Sequence, residues 1–189
     1  MKDGRHPAVF LDRDGVLNAP VLVDGKPHPP TSTSELELLP GVSAACRRLK
    51  ERGFLLIVIT NQPDVARGHT THASVTSINQ HLCELLPLDA VYMCPHDDGD
   101  NCECRKPKPG LIVDAARGWD VDLVASVMVG DRWRDIEAGR NAGCMTVYVD
   151  RGYSERAPIS FDACVQDLED AATWILDHPP LVDEREPVP

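Results

Sequence analysis

The segment FLDRDGVLN, residues 10–18, decides how the chain is read. A short apolar run, AVFLD at residues 8–12, ends in the carboxylate of Asp12, and a second carboxylate follows at Asp14. Gly15 then lets the chain turn sharply. If the extended geometry persists, strand alternation points Asp12 and Asp14 the same way. Like charges held this close disfavour each other's ionisation. A hard divalent cation resolves the conflict, and Mg²⁺ favours one or two carboxylates completed by water and phosphate oxygens.

Outward from this segment, short apolar runs alternate with longer helical patterns. Residues 54–60 (FLLIVIT), 90–94 (AVYMC), 126–131 (SVMVGD) and 145–150 (MTVYVD) read as buried strands. Residues 41–51, 72–86, 109–117 and 133–141 read as helices, the last stopped by Gly143. Near-continuous apolar strands separated by helices predict an α/β fold with a three-layer, doubly wound parallel sheet. Such sheets bind ligands at the carboxyl ends of their strands. The polar residues Asp12, Thr60, Cys94 and Asp131 fall at those ends. GDRWRD supplies Asp131 as a third oxygen ligand, with Asp135 as support. Taken singly, DRD also suits a solvated turn and GD a helix cap; both at strand ends favour a metal site. Thr60 offers a hydroxyl to a phosphoryl oxygen, followed by the amides of Asn61 and Gln62. RKPKPG, residues 105–110, is stiffened by two prolines, and a lysine there can balance the charge on Asp12.

No gap between these strands is long enough for a separate lid, so a single domain without a cap is expected over residues 1–177. Residues 19–34 should form a long loop beside Asp12 and Asp14. Residues 178–189, proline-rich and charged, should be a poorly ordered tail. Cys94, His96, Cys102 and Cys104 form C-x-H-x5-C-x-C, a donor set for a structural zinc ion, inserted as a loop at 94–104. Free thiols or a redox pair are the alternative. Cys46, Cys83, Cys144 and Cys164 have apolar neighbours and read as small buried hydrophobes. The other histidines, His28 and His69 among them, read as surface or loop residues, and the three tryptophans as packing, with Trp133 near Asp131.

The 19 Lys+Arg against 30 Asp+Glu leave a formal charge of −11, which opposes a nucleic-acid or anionic-membrane partner. The longest apolar run, residues 54–59, is too short to span a bilayer, and no secretory signal is legible at residues 1–7. A soluble, cytoplasmic, monomeric protein is expected. Its cations nevertheless gather on the motifs, at Arg13, Arg67, Arg105, Lys106, Lys108, Arg132 and Arg134, so a local field can attract an anion.

The DxDG pair, the strand-terminal Thr60, the downstream lysine and the late GD together resemble the haloacid dehalogenase-type phosphatase superfamily over residues 8–149. FLDRDGVLN, TNQ, CPH…CxCRKPKPG and GDRWRDIEAG are similar to its capless branch, which holds heptose 1,7-bisphosphate 7-phosphatases and histidinol-phosphate phosphatases. That resemblance implies an Mg²⁺-dependent phosphomonoesterase acting on a small phosphorylated metabolite. Asp12 would be the nucleophile, and Asp14 the acid and then the base, kept protonated by an anionic setting. Thr60 and Lys106 would stabilise the phosphoryl group. Asp12, the Asp14 carbonyl and Asp131 would hold Mg²⁺, and a zinc loop would position Arg105 and Lys106. Arg13, Asn61, Gln62, Arg67, Arg105 and Arg132 are the candidate substrate contacts. RKPKPG and the TNQ…ARG framework favour a heptose 1,7-bisphosphate cleaved at C7. Histidinol phosphate stays open because Asp64, Asp97 and Asp98 could meet its cationic groups. A zinc-binding interaction module is the non-enzymatic alternative.

Overall fold

The computed structural model describes residues 5–23 and 26–179. At its centre is β1, Ala8–Leu11, with all four residues buried. It is flanked by β4, Leu55–Asn61, and β6, Val127–Gly130. β5, Ala90–Cys94, lies outside β4, while β7, Met145–Val149, and β8, Ala163–Val165, lie outside β6. The six-stranded sheet therefore runs β5-β4-β1-β6-β7-β8, and every neighbouring pair is parallel. The chain leaves β1 toward β4 and later returns on its other side at β6. The carboxyl end of β1 is thus the switch point at which such sheets open a crevice.

Strand alternation sorts the side chains into two cores, as expected for a sheet covered on both faces. Val9, Leu11, Leu56, Val58, Val129 and Val147 pack with Val42, Ala45 and Leu49 of α1 (Val42–Glu51), Leu82 of α2 (His72–Leu85), and Ala171 and Ile175 of α5 (Leu168–Asp177). Phe10, Ile57, Ile59 and Met128 face the opposite way. They pack on Leu111, Ile112 and Ala115 of α3 (Gly110–Gly118) and Ala138 of α4 (Trp133–Ala142).

Two sequence expectations are corrected, and two elements appear that the sequence pattern did not announce. The stretch 19–34 is not one loop: β2, Val21–Val23, and β3, Lys26–His28, pair antiparallel within it. Beyond β7 the chain adds β8 and α5, the latter begun by the Asp167 side chain accepting from the Asp170 N–H at 2.9 Å. Cys46 and Cys144 are buried as expected, but Cys83 and Cys164 are exposed because they lie on the outer faces of α2 and of the edge strand β8. The expected flexible tail, 178–189, lies outside the described residues from 180 onward. No helix among the described residues is long and apolar enough to cross a membrane.

One buried hydroxyl ties the start of β1 to the turn before β6. Ser126 Oγ accepts from the Ala8 N–H at 2.9 Å and donates to the Asp122 carbonyl at 2.5 Å. Ser126→Ala leaves a buried N–H unpaired and should cost about 1–3 kcal/mol. Urea titration should show a lower midpoint with an unchanged slope; an unmoved midpoint would contradict this role for the hydroxyl.

Candidate active site

The carboxyl ends of β1, β4 and β6 open into a cavity of about 430 Å³. Asp12 follows β1 directly, its N–H donating to the Val129 carbonyl at 2.9 Å, so the sheet itself sets its backbone. Gly15 has φ +91°, and a Cβ there would overlap the Asp131 carboxylate. Only glycine permits this turn, which carries the Asp12–Asp14 loop against Asp131. Asp131 is buried, and among the described residues neither of its oxygens has a well-formed hydrogen bond, although the Tyr153 phenol stands close by. Burial, then the charges of Asp12 and Asp135, push its carboxyl far above the usual range. Burial also raises Asp12 to about 6, against the pull of Lys106. Orphaned oxygens among buried carboxylates make a donor set that suits a hard divalent cation.

Lys106 is buried, and its ammonium lies 2.6 Å from Asp12 Oδ1, 2.6 Å from Asp135 Oδ1 and 2.7 Å from the Ile59 carbonyl. All three of its protons are therefore engaged. Burial alone would lower its pKa, but the charges of Asp12 and Asp135 outweigh that and hold it protonated. The second Asp135 oxygen accepts from the Arg132 N–H at 2.9 Å. With both oxygens committed, Asp135 is an anchor for Lys106 rather than a free ligand. Asn61 clamps the same lysine by its main chain, accepting from the N–H and donating to the carbonyl, each at 3.1 Å.

The surroundings of Asp14 differ from the anionic crowd expected from sequence. Its carboxylate accepts from Arg13 Nε at 3.2 Å and Nη2 at 2.9 Å, from Asn18 Nδ2 at 3.0 Å and from Gln62 Nε2 at 2.8 Å. Burial pushes its pKa up, but the Arg13 charge and these hydrogen bonds prevail and hold it below the usual range. Arg13 and Gln62 were expected to touch substrate; both instead sit behind Asp14, buried and off the cavity wall. Gln62 also donates to Thr60 Oγ1 at 2.9 Å, linking the two groups.

The remaining expected contacts line the rim, each arginine already held by a carboxylate. Arg67 grips Asp97 through two bonds of 2.7 Å, and Arg105 donates to Asp98 at 2.8 Å and to the His96 carbonyl at 3.1 Å. Arg132 lies 3.2 Å from Glu155 and over the Tyr153 ring. Sequence reasoning missed Tyr153, His28 and His69 on the cavity wall. It also missed Arg151, which donates to the Gly15 carbonyl at 2.8 Å. All come from loops or from the small hairpin, where no periodic pattern marks them.

Cys94, His96, Cys102 and Cys104 converge beside this rim, with sulfur–sulfur distances of 3.2, 3.4 and 3.6 Å and His96 Nδ1 3.3 Å from Cys104 Sγ. A tetrahedral zinc with Zn–S near 2.3 Å needs edges of about 3.8 Å, so the four atoms are gathered closely enough for one ion, and none of the cysteines is in a disulfide.

A family profile described as HAD-hydrolase-like matches residues 103–173. The chain is 38% identical over 195 residues to D-glycero-D-manno-heptose-1,7-bisphosphate 7-phosphatase of Thermosynechococcus vestitus, covering 91% of this chain and 96% of that one. It is also 38% identical over 184 residues to D-glycero-beta-D-manno-heptose-1,7-bisphosphate 7-phosphatase of Escherichia coli K12, covering 90% and 88%. Among solved structures, D,D-heptose 1,7-bisphosphate phosphatase from B. bronchiseptica, complexed with magnesium and phosphate, matches with a TM-score of 0.78 and 34% identity. That match covers 91% of this chain and 99% of the other.

Lys106→Met tests the charge balance directly. Removing one partner of a buried ion pair typically costs about 3–5 kcal/mol. Asp12 already has its pKa raised on folding, and losing the ammonium raises it further. A carboxyl raised in this way binds its proton more tightly folded than unfolded, so folding is penalised once it ionises. In metal-free protein the stability deficit of the variant should therefore be largest near pH 8 and shrink as pH falls through about 6 and below. A deficit that is constant across this range, followed by urea unfolding, would contradict the coupling.

Proposed function

The chain belongs to the haloacid dehalogenase-like phosphatases, and on that premise we propose that it removes the C7 phosphate of D-glycero-D-manno-heptose 1,7-bisphosphate through an aspartyl-phosphate on Asp12. The observation that carries the reading is the asymmetry between the two carboxylates. Asp12 has one oxygen on Lys106 and the other without a hydrogen bond among the described residues, whereas Asp14 is gripped at both oxygens. The first is free to attack; the second is oriented to handle a proton.

In the first step an Asp12 oxygen bonds to phosphorus and the ester oxygen departs, taking a proton from Asp14. In the second, Asp14, now ionised, takes a proton from the water that attacks the acyl phosphate, and Asp12 is regenerated as inorganic phosphate leaves. The resting site holds Asp14 ionised, so it gains the proton it donates only when a phosphate crowds it with negative charge. The Thr60 hydroxyl faces the same cavity and donates to a phosphoryl oxygen, while Lys106, its three protons already committed, stabilises the phosphoryl group by its charge. Asp12, Asp131 and the main-chain carbonyl of Asp14 would hold Mg²⁺, which supplies the positive charge that lets a carboxylate meet a phosphate.

The rim favours a second anionic group. Asp97 and Asp98, which could have met the cations of histidinol phosphate, are already paired with Arg67 and Arg105. These pairings hold the two guanidinium groups in place at the mouth, ready for a second phosphate. Arg105 and Lys106 directly follow Cys104, so a zinc ion on Cys94, His96, Cys102 and Cys104 would fix where both cations stand. With four protein donors it would have no open position for chemistry.

Three experiments test this reading. Asp12→Asn should fold and release no phosphate; retention of roughly a tenth or more of parental turnover would remove Asp12 as nucleophile. Side-by-side kcat/KM values for the heptose bisphosphate and histidinol phosphate should favour the former, and a higher value for histidinol phosphate would overturn the substrate while leaving the chemistry. The metals should separate by donor type. Elemental analysis should find about one zinc per chain, lost in Cys102→Ser, while chelation of Mg²⁺ should stop turnover with zinc retained. Zinc persisting in Cys102→Ser would reject the Cys₃His assignment.

A further inference from the structure

The buried face of α2 contains a polar residue where an apolar one is expected. Val75, Ile78 and Leu82 form the apolar stripe at helical spacing, and Asn79 sits among them, itself 8% exposed. A buried amide in such a stripe costs free energy unless its polar atoms are paired. Asn79 Oδ1 accepts from Arg13 Nη1 at 2.9 Å. Arg13 is wholly buried, and the other side of its guanidinium forms the two-point contact to Asp14. A planar fork cannot pivot freely when three of its nitrogens are engaged. The orientation of Asp14 therefore depends, through one rigid group, on an acceptor carried by a helix that does not line the cavity.

We propose that Asn79 is a positioning residue for proton transfer: it fixes Arg13, and Arg13 fixes Asp14 toward the departing ester oxygen. The inference rests on the phosphatase reading above and extends it to a residue outside the site. Its distinctive consequence concerns the leaving group. An alkoxide departs poorly without a proton, whereas p-nitrophenolate departs well without one. kcat/KM reports only the steps up to the first irreversible one, here ester cleavage, so the later hydrolysis of the acyl phosphate does not enter it.

The test compares the full-length parent with Asn79→Leu, which suits the apolar stripe but has no acceptor, Asn79→Ala, and Asn79→Asp, which keeps an acceptor oxygen at the same reach. Folding of each is checked by circular dichroism and urea unfolding. For heptose 1,7-bisphosphate, kcat/KM should fall about tenfold or more in the Leu and Ala variants, a fraction of the full acid contribution. For p-nitrophenyl phosphate it should fall less than about threefold in the same variants, because little proton transfer is needed. Asn79→Asp should stay within about threefold of the parent on both esters. Equal losses on both esters would show a merely structural role and overturn the inference, as would unchanged kcat/KM for the heptose ester in a folded Leu or Ala variant. Failure of both variants to fold while Asn79→Asp folds but loses the heptose activity would overturn it too. A parent inactive on both esters would instead refute the phosphatase reading on which it rests.

Discussion

Lys106 carries its ammonium into the interior between Asp12 and Asp135, and the rest of the site is arranged around keeping it there. Stripping water from an ammonium and two carboxylates costs several kcal/mol per ion, recovered only if the geometry is good and the remaining donors are satisfied. The Ile59 carbonyl takes the third proton, Asn61 holds the main chain at both polar atoms, and the Arg132 N–H occupies the free Asp135 oxygen. Three segments distant in sequence are thereby fastened to a nitrogen carried by a fourth. Asp131 remains outside the arrangement, buried and, among the described residues, without a well-formed hydrogen bond to either oxygen. One cation thus compensates part of a larger negative cluster, and the shortfall is what makes the site suited to a divalent ion.

The two carboxylates of the DRD segment share a strand end yet occupy opposite electrical settings. Burial and neighbouring acids raise Asp12, while the Arg13 guanidinium and the amides of Asn18 and Gln62 lower Asp14. Spacing alone predicts that they point together. It does not predict that the residue between them turns inward and supports the second.

Most of the chemistry was legible in the sequence because it lies where the chain's own periodicity ends. Asp12, Thr60 and Asp131 terminate apolar runs, and glycine or proline beside them marks a constrained turn. The cysteine–histidine spacing was legible for the same local reason. What escaped was non-local. Arg13 looked like a substrate contact because an arginine beside an active carboxylate offers no sign of its direction, and its burial depends on Asn79, 66 positions away. The strand Ala163–Val165 is too short to show alternation, and its place depends on pairing with β7. The hairpin within 19–34 contains proline and no apolar alternation, so composition suggested a loop. Tyr153 and Arg151 reach the site from a connection after β7, and no local pattern announces that return.

The mouth of the cavity is built from arginine–carboxylate pairs on loops, Arg67 with Asp97 and Arg105 with Asp98, while the reacting groups ride on strand ends. These two parts of the molecule accept change very differently. A glycine whose turn leaves no room for a Cβ, or an ammonium with all three protons committed, admits almost no substitution. A pair at the rim can be exchanged, reversed or neutralised at modest cost, because both partners are partly solvated and the sheet does not depend on them. A lineage carrying this chain can therefore drift in the esters it admits while hydrolysis itself is held constant. The shape of that drift would be written in compensating charge swaps between residues 64–67 and 97–105.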